Sequence, residues 1–131
     1  MADQYPDSLK YTKDHEWARV SGKVAVIGIT PFAKDQLGDV VFLELPDVGA
    51  TLTQGKPFGV VESTKAVSEL FAPVSGKVLK VNKPLIEAPE QINEDPIEKG
   101  WMIEIEMSKP EEASGLLSAA QYKELLASEE H

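Results

Sequence analysis

The sequence predicts a mainly β fold formed by one domain that spans all 131 residues. Short segments rich in β-branched and aromatic residues recur along the chain, and clusters of Gly, Pro, Asn and Asp separate them. Helix boundary signals occur in two stretches, one in the N-terminal half and one near the C-terminus. Many short strands with frequent turns are typical of a small sandwich or barrel-like β domain.

The segments with strand composition place the β core at about residues 20–107. They are rich in Val, Ile, Leu and Phe, which favour extended backbone. The turn signals between them fall at residues 46–49, 54–55, 73–76 and 93–96. The predicted strands cover residues 23–29, 40–45, 58–62, 67–72, 77–81 and 101–106.

The first helix has boundary signals at both of its ends. Thr30 is a favourable N-cap residue, Pro31 suits the first helical position, and Gly38 stands where a helix commonly ends. Together these signals predict a helix of about two turns over Pro31–Leu37.

The second helix is predicted over residues 118–128. Ser118 and Gln121 have the spacing of a capping box, in which each side chain bonds to the other residue's backbone N–H. Apolar residues then follow at helical spacing, and we expect this stripe to pack on the β domain. A partner-binding face is the alternative. The stripe consists of Ala119, Tyr122, Leu125 and Leu126.

The composition argues against several classes of function. With 22 acidic and 13 basic residues, the formal net charge is -9. This charge repels phosphate backbones and anionic membranes, so we expect no nucleic-acid or membrane partner, whereas a basic docking surface would be attracted. The chain has no cysteine, and its histidines are His15 and His131. The chain therefore has almost none of the Cys and His residues that catalytic triads and metal centres use, and we expect neither catalytic residues nor a metal site.

The N-terminal segment has no recognisable export signal. It lacks the apolar stretch of a secretory signal and the Arg-rich, acid-poor composition of a transit peptide. No apolar run approaches the roughly 20 residues that span a bilayer. We expect a cytoplasmic protein if the source is bacterial, or a mitochondrial matrix protein if the chain is a mature eukaryotic form.

A hairpin expected between residues 58 and 73 carries the candidate site. Two apolar strands flank a polar tip without glycine, which a type I turn accepts without positive φ. An enzyme that acylates lysine needs an exposed ε-amine that it can reach without unfolding the carrier, and the tip offers one. A merely solvated turn lysine is the commoner alternative on spacing alone. The tip residues are Glu62, Ser63, Thr64, Lys65 and Ala66.

Three separated strings resemble the glycine cleavage system H-protein family. They are HEW at residues 15–17, GDVVFLELP at residues 38–46, and VVESTKA at residues 60–66 followed by APVSG at residues 72–76. Further matches occur in the same order at residues 81–82, 92–96 and 100–101. The ordered set is specific, and the resemblance covers nearly the whole chain.

The resemblance implies a lipoyl-type barrel-sandwich hybrid in which Lys65 carries a covalently attached lipoyl group. Such a protein is a non-catalytic carrier in glycine catabolism and one-carbon metabolism, and a lipoylating enzyme first modifies it. It takes an aminomethyl group from glycine decarboxylase (P protein) to the aminomethyltransferase (T protein), and reducing equivalents to dihydrolipoamide dehydrogenase (L protein). The cofactor performs the bond chemistry, while the protein supplies attachment, reach and shelter. The neighbouring tip residues then serve recognition, with Thr64 standing where Val is frequent in the family.

Glu16 and Glu69 are candidates for contacts with the loaded arm. The aminomethyl adduct carries an amine and hydrolyses readily in water, so a carboxylate and partial burial would protect it. Glu69 follows Lys65 by four residues, which places both on one strand face roughly 13 Å apart at about 3.3 Å per residue. Glu16 lies in the HEW string. For both residues, a solvated surface carboxylate is the alternative.

Other carriers and other classes of protein remain as alternatives. Biotin carriers flank the modified lysine with Met, whereas Thr64 and Ala66 stand here. Isolated lipoyl domains are shorter and lack both the HEW string and the C-terminal helix. An unmodified adaptor, or a protein that passes lipoyl groups to other carriers, would keep the same tip, and the sequence does not separate these functions from glycine cleavage.

Overall fold

The structure is a computed structural model that describes residues 5–129, and these residues form nine strands, four α-helices and one 3-10 helix. The helices are α1 Pro31–Leu37, α2 Lys83–Glu87, α3 Gln91–Glu94 and α4 Ala119–Glu129, and the 3-10 helix is Pro110–Gly115. The strands are β1 Lys10–Tyr11, β2 Glu16–Ser21, β3 Val24–Ile29, β4 Val40–Glu44, β5 Thr51–Leu52, β6 Pro57–Ser63, β7 Val67–Phe71, β8 Gly76–Val81 and β9 Ile103–Met107.

Two antiparallel sheets build the β domain. The larger sheet has the order β1-β2-β3-β9-β8-β5, and the smaller has the order β4-β6-β7. Buried residues of both sheets share one hydrophobic core, with Ile27 and Ile105 from the larger sheet and Leu43 and Val61 from the smaller. The smaller sheet ends in the β6–β7 hairpin, so the common core supports the strands that carry the candidate site.

The predicted strand segments all form strands, but the β core begins earlier than residue 20. Strands β1 and β2 precede that position and pair with each other and with β3. The first three residues of β2, Glu16, Trp17 and Ala18, are all buried. An extended segment buried on both of its faces shows no alternation of polar and apolar residues, which is why the pattern did not reveal this strand.

Helix α1 has the predicted bounds and both predicted caps. The side-chain oxygen of Thr30 accepts a hydrogen bond from the backbone N–H of Ala33 at 3.2 Å. At the other end, Gly38 has φ 82° and ψ -151°, and its N–H donates to the carbonyl oxygen of Lys34. This combination of angles belongs to a region that glycine almost alone occupies, so the sequence signal had a direct backbone cause.

Helix α4 also begins as its signal predicted. The N–H of Ser118 donates to Oε1 of Gln121 at 2.9 Å, and the N–H of Gln121 donates to Oγ of Ser118 at 3.2 Å. The apolar stripe packs on the β domain, which confirms the core interpretation. The buried members of this second cluster are Leu9, Tyr11, Trp17, Ala119, Tyr122 and Leu126.

Within residues 5–129, no helix is long and apolar enough to cross a membrane. The same part of the chain has no group of three or more His, Asp or Glu side chains placed to hold a metal ion.

Candidate functional site

The hairpin tip is held by hydrogen bonds around Ser63. Glu62 of β6 pairs with Val67 of β7, and the N–H of Ser63 donates to the carbonyl oxygen of Ala66 at 2.8 Å. The Ser63 hydroxyl oxygen accepts from the N–H groups of Lys65 at 3.1 Å and Ala66 at 3.0 Å. As predicted, the tip needs no positive φ. The Ser63 hydroxyl therefore accepts the hydrogen bonds of two tip N–H groups, a role that a backbone carbonyl oxygen fills elsewhere in the hairpin.

Neighbouring segments support the tip and the Lys65 side chain. The N–H of Thr64 donates to the carbonyl oxygen of Asp39 at 3.0 Å, which joins the tip to the segment before β4. Lys65 is exposed, and its aliphatic carbons lie against Gly38. A Cβ atom added at Gly38 would lie 2.9 Å from Cε of Lys65. The glycine therefore leaves the space through which the lysine chain passes.

A cavity of about 300 Å³ lies beside the tip, and we call it the tip cavity. One wall is His15 and Glu16, a second is α1, and a third is β7 with Ala66 next to it. The cavity brings together the tip and both predicted carboxylates, which are far apart in sequence. A group attached at the tip would therefore lie close to the tip cavity.

Glu16 is a buried carboxyl group in the wall of the tip cavity. Glu16 is 2% exposed, and its Oε2 accepts a 2.7 Å hydrogen bond from the N–H of Phe71. Oε1 is buried without a hydrogen-bond partner among the described residues. Burial raises the pKa of Glu16 from 4.5 to about 8; the Phe71 N–H and the Thr12 side chain oppose this rise, and the charge of Asp14 adds to it. The alternative of a solvated surface carboxylate is wrong for Glu16.

Glu69 also lines the tip cavity, but the sequence argument for it was wrong. Lys65 lies in the tip, and β7 begins only at Val67, so strand alternation does not relate Lys65 to Glu69. Glu69 is exposed and pairs with Val60 of β6. The structure thus places one buried and one exposed carboxylate at the same cavity, and their contact with a loaded arm stays a prediction.

Sequence reasoning missed the hydrogen bonds of the Tyr122 hydroxyl. His15 has φ 69°, its ring lies 4.6 Å from that of Phe32, and its Nδ1 is 2.8 Å from the Tyr122 hydroxyl. The same hydroxyl is 2.7 Å from Oγ1 of Thr30. His15 therefore packs against Phe32 and is hydrogen-bonded to Tyr122. A tyrosine within an apolar stripe signals that its hydroxyl needs a buried partner, but it does not identify that partner.

Apolar side chains stand exposed beside the tip. Phe42 pairs with Glu62, and Glu62 pairs with Val67, so the three side chains share one face of the smaller sheet. Phe42 is 46% and Val67 67% exposed. We call Phe42, Glu62 and Val67 the outer tip face. Composition alone did not reveal it, because its members come from three different strands.

The solved structures include a close match to this architecture. A crystal structure of a glycine cleavage system H protein from Mycobacterium marinum superposes with a TM-score of 0.83 at 38% sequence identity, covering 89% of this chain and 94% of that chain. The two sheets, the C-terminal helix and the lysine-bearing hairpin define a lipoyl-type barrel-sandwich hybrid.

The sequence comparisons identify the family within this class. The family model described as glycine cleavage H-protein matches residues 9–129. The glycine cleavage system H protein of Anaeromyxobacter sp. (strain K) is 60% identical over 127 residues, covering 97% of this chain and 99% of that protein. The protein of the same name from Myxococcus xanthus is 56% identical over 126 residues, covering 96% and 98%. The chain belongs to the glycine cleavage H-protein family.

Proposed function

We propose that the protein is the lipoylated carrier of the glycine cleavage system, with Lys65 as the attachment residue. As a non-catalytic single domain, it carries an aminomethyl group from glycine decarboxylase to the aminomethyltransferase, and reducing equivalents to dihydrolipoamide dehydrogenase. The observation that supports this most directly is the exposed amine at a hydrogen-bonded tip in a member of this family. The bacterial relatives support a cytoplasmic location.

The residues around Lys65 fit a lipoyl group. Gly38 leaves room for the lysine chain, and the tip cavity of about 300 Å³ offers space beside Ala66. The unpartnered Oε1 of Glu16 is an acceptor that no described residue satisfies. When attached, the dithiolane ring supplies the group-transfer and redox chemistry, while this chain supplies attachment, reach and shelter.

The tip prepares Lys65 for acylation by fixing its backbone. The N–H of Lys65 is bonded to the Ser63 hydroxyl, and the N–H of Thr64 is bonded to the Asp39 carbonyl. A lipoylating enzyme therefore meets the amine at one place, and little conformational freedom of the tip backbone is lost on binding. Because the side chain is exposed, the enzyme needs no unfolding of the carrier to reach it.

Glu16 is suited to an amine-bearing cargo in the tip cavity. An isolated buried carboxylate is unfavourable, and this explains why burial raises the pKa of Glu16 to about 8. A cationic amine beside Oε1 would supply both the missing donor and the missing charge, so Glu16 would become a carboxylate when the carrier is loaded. Exclusion of water by the cavity walls would slow hydrolysis of the cargo, and the exposed Glu69 adds a second negative charge.

The outer tip face is suited to docking by the partner enzymes. Its apolar members, Phe42 and Val67, flank Glu62, and the neighbouring Glu44 is also exposed. Together with the net charge of -9, this favours a partner surface that has an apolar centre and basic residues at its rim. The attraction would raise the association rate, while the apolar contacts would contribute to affinity.

Intact-mass measurement after expression with lipoate tests the attachment. Wild type should gain the mass of one lipoyl group, and Lys65→Arg should gain none. Lys56→Arg is a matched control, because Lys56 is also exposed but adjoins the end of the hairpin away from the tip, and it should be modified like wild type. An unmodified wild type, or a modified Lys65→Arg variant, would overturn the assignment.

Reconstitution with glycine decarboxylase and the aminomethyltransferase then tests the pathway, and a modified carrier that fails to support glycine turnover would refute it.

A further inference from the structure

The hydroxyl of Tyr122 connects helix α4 to two walls of the tip cavity. It is 2.8 Å from Nδ1 of His15 and 2.7 Å from Oγ1 of Thr30, and the Tyr122 side chain is fully buried. Helix α4 itself contributes no residue to the described lining of the cavity. The hydroxyl of Tyr122 is therefore linked to the cavity through His15 and Thr30.

The first wall depends on an unusual backbone conformation. His15 has φ 69°, in the left-handed region that non-glycine residues seldom occupy. Its N–H donates to the carbonyl oxygen of Thr12 at 3.0 Å, and its carbonyl oxygen accepts from the N–H of Thr30 at 3.1 Å. Glu16 follows directly as the first residue of β2, so the conformation of His15 determines where the Glu16 side chain starts. Such strain persists only where surrounding contacts hold it, and the Tyr122 hydroxyl is one of these contacts.

The second wall depends on the cap of helix α1. Thr30 accepts the hydrogen bond from the N–H of Ala33 that caps this helix. Ala33, Gln36 and Leu37 of the same helix line the tip cavity. The Tyr122 hydroxyl thus contacts both the cap residue of one wall and the histidine ring of the other.

We propose that Tyr122 is a positioning residue for the tip cavity: its hydroxyl holds His15 and Thr30 so that Glu16 keeps its bond to Phe71 and its place in the cavity wall. The proposal rests on the proposed function, in which this cavity shelters the loaded arm. Since Tyr122 belongs to helix α4, the proposal means that the C-terminal helix affects how long the cargo survives on the carrier.

Tyr122→Phe tests the proposal, and Tyr11→Phe is the matched control. The two rings are stacked with centroids 4.9 Å apart, and both side chains are fully buried. The Tyr11 hydroxyl donates to the carbonyl oxygen of Pro6 at 2.9 Å, outside the cavity. Each variant removes one buried hydroxyl and keeps the ring, so a merely structural effect should appear in both.

The first readout uses the unloaded carrier. Hydrogen exchange of the Phe71 amide reports whether Glu16 Oε2 remains bonded to it, since opening of this bond exposes the N–H. Loss of the hydrogen bonds from the Tyr122 hydroxyl to His15 and Thr30 predicts faster exchange of the Phe71 amide, by about threefold to tenfold, in Tyr122→Phe. Tyr11→Phe should match wild type at this amide. Equal exchange of the Phe71 amide in the two variants would overturn the proposal.

The second readout uses the loaded carrier. Release of the cargo by hydrolysis should be about threefold to tenfold faster in Tyr122→Phe than in Tyr11→Phe. In a Glu16→Gln background the effect of Tyr122→Phe should shrink, because coupled residues are not additive. Full additivity would contradict the proposal. A Lys65 that takes no lipoyl group would refute the proposed function instead, and the Phe71 amide would still decide whether Tyr122 positions Glu16.

Discussion

The carboxyl group of Glu16 accepts a 2.7 Å hydrogen bond from the backbone N–H of Phe71, a residue 55 positions further along the chain. This bond fixes one oxygen, while the other has no partner among the described residues. Burial raises the pKa of Glu16 to about 8, although the hydrogen bond from Phe71 opposes this rise. The stability of the unloaded protein should therefore depend on pH through this residue.

Glu16 should reduce the free energy of unfolding between pH 4.5 and about pH 8. In this interval Glu16 keeps its proton in the folded state but loses it in the unfolded state. The free energy of unfolding is therefore not reduced by Glu16 below pH 4.5, and it decreases as the pH rises towards about 8. The loss amounts to at most about 5 kcal/mol for a shift of this size. Urea unfolding across this interval measures it.

Glu16→Gln should remove most of that pH dependence, because Gln can keep the Phe71 bond but does not ionise. The exposed Glu69→Gln serves as the control and should retain the wild-type slope. A Glu16→Gln variant with an unchanged slope would show that another group is responsible.

Glu16→Gln should also shorten the lifetime of the loaded carrier. Removing the charge that pairs with the cargo amine predicts faster hydrolysis by about tenfold, whereas the exposed Glu69→Gln should change the rate about twofold. Formaldehyde and ammonia released by the isolated, loaded carrier give the rate. If neither variant differs from wild type, the proposed role of both carboxylates fails.

Gly38→Ala should impair both stability and lipoylation. The backbone angles of Gly38 are unfavourable for alanine, which should cost about 1–3 kcal/mol. The added Cβ would also lie 2.9 Å from Cε of Lys65 and displace the lysine chain. Gly22→Ala is the control, because Gly22 has φ 60° with no atom within 4 Å of an added Cβ. Lipoylation at equal folded concentrations should slow only in Gly38→Ala, and equal rates would exclude the contact with Lys65.

Phe42→Ser should weaken docking without unfolding the carrier. Phe42 is 46% exposed on the outer tip face, so its removal costs the fold little but deletes apolar contact with a partner. We expect kcat/KM of glycine decarboxylase for the carrier to fall by about tenfold. Val48→Ser, at a position that is 60% exposed in the loop after β4, should behave like wild type. An equal decrease in both variants would argue against a specific surface.

The sequence predicts best what depends on neighbouring residues. The caps at Thr30 and Gly38 are local signals, and helix α1 has the bounds they indicate. The burial of Glu16 is not local, because it arises where β2 meets β7 and no pattern around residue 16 expresses that contact. The hydroxyl of Tyr122 bonds to His15 across 107 positions, so the apolar stripe indicated where the ring packs but not what its oxygen touches.

The bond from Thr64 to Asp39 uses only the backbone of both residues. The hydrogen bond that supports the tip at residue 64 therefore does not depend on which side chain stands there. Ser63 differs, because its own hydroxyl is part of the support. Residue 64 can therefore change without loss of the bond to Asp39, whereas a change at Ser63 would remove two hydrogen bonds from the tip.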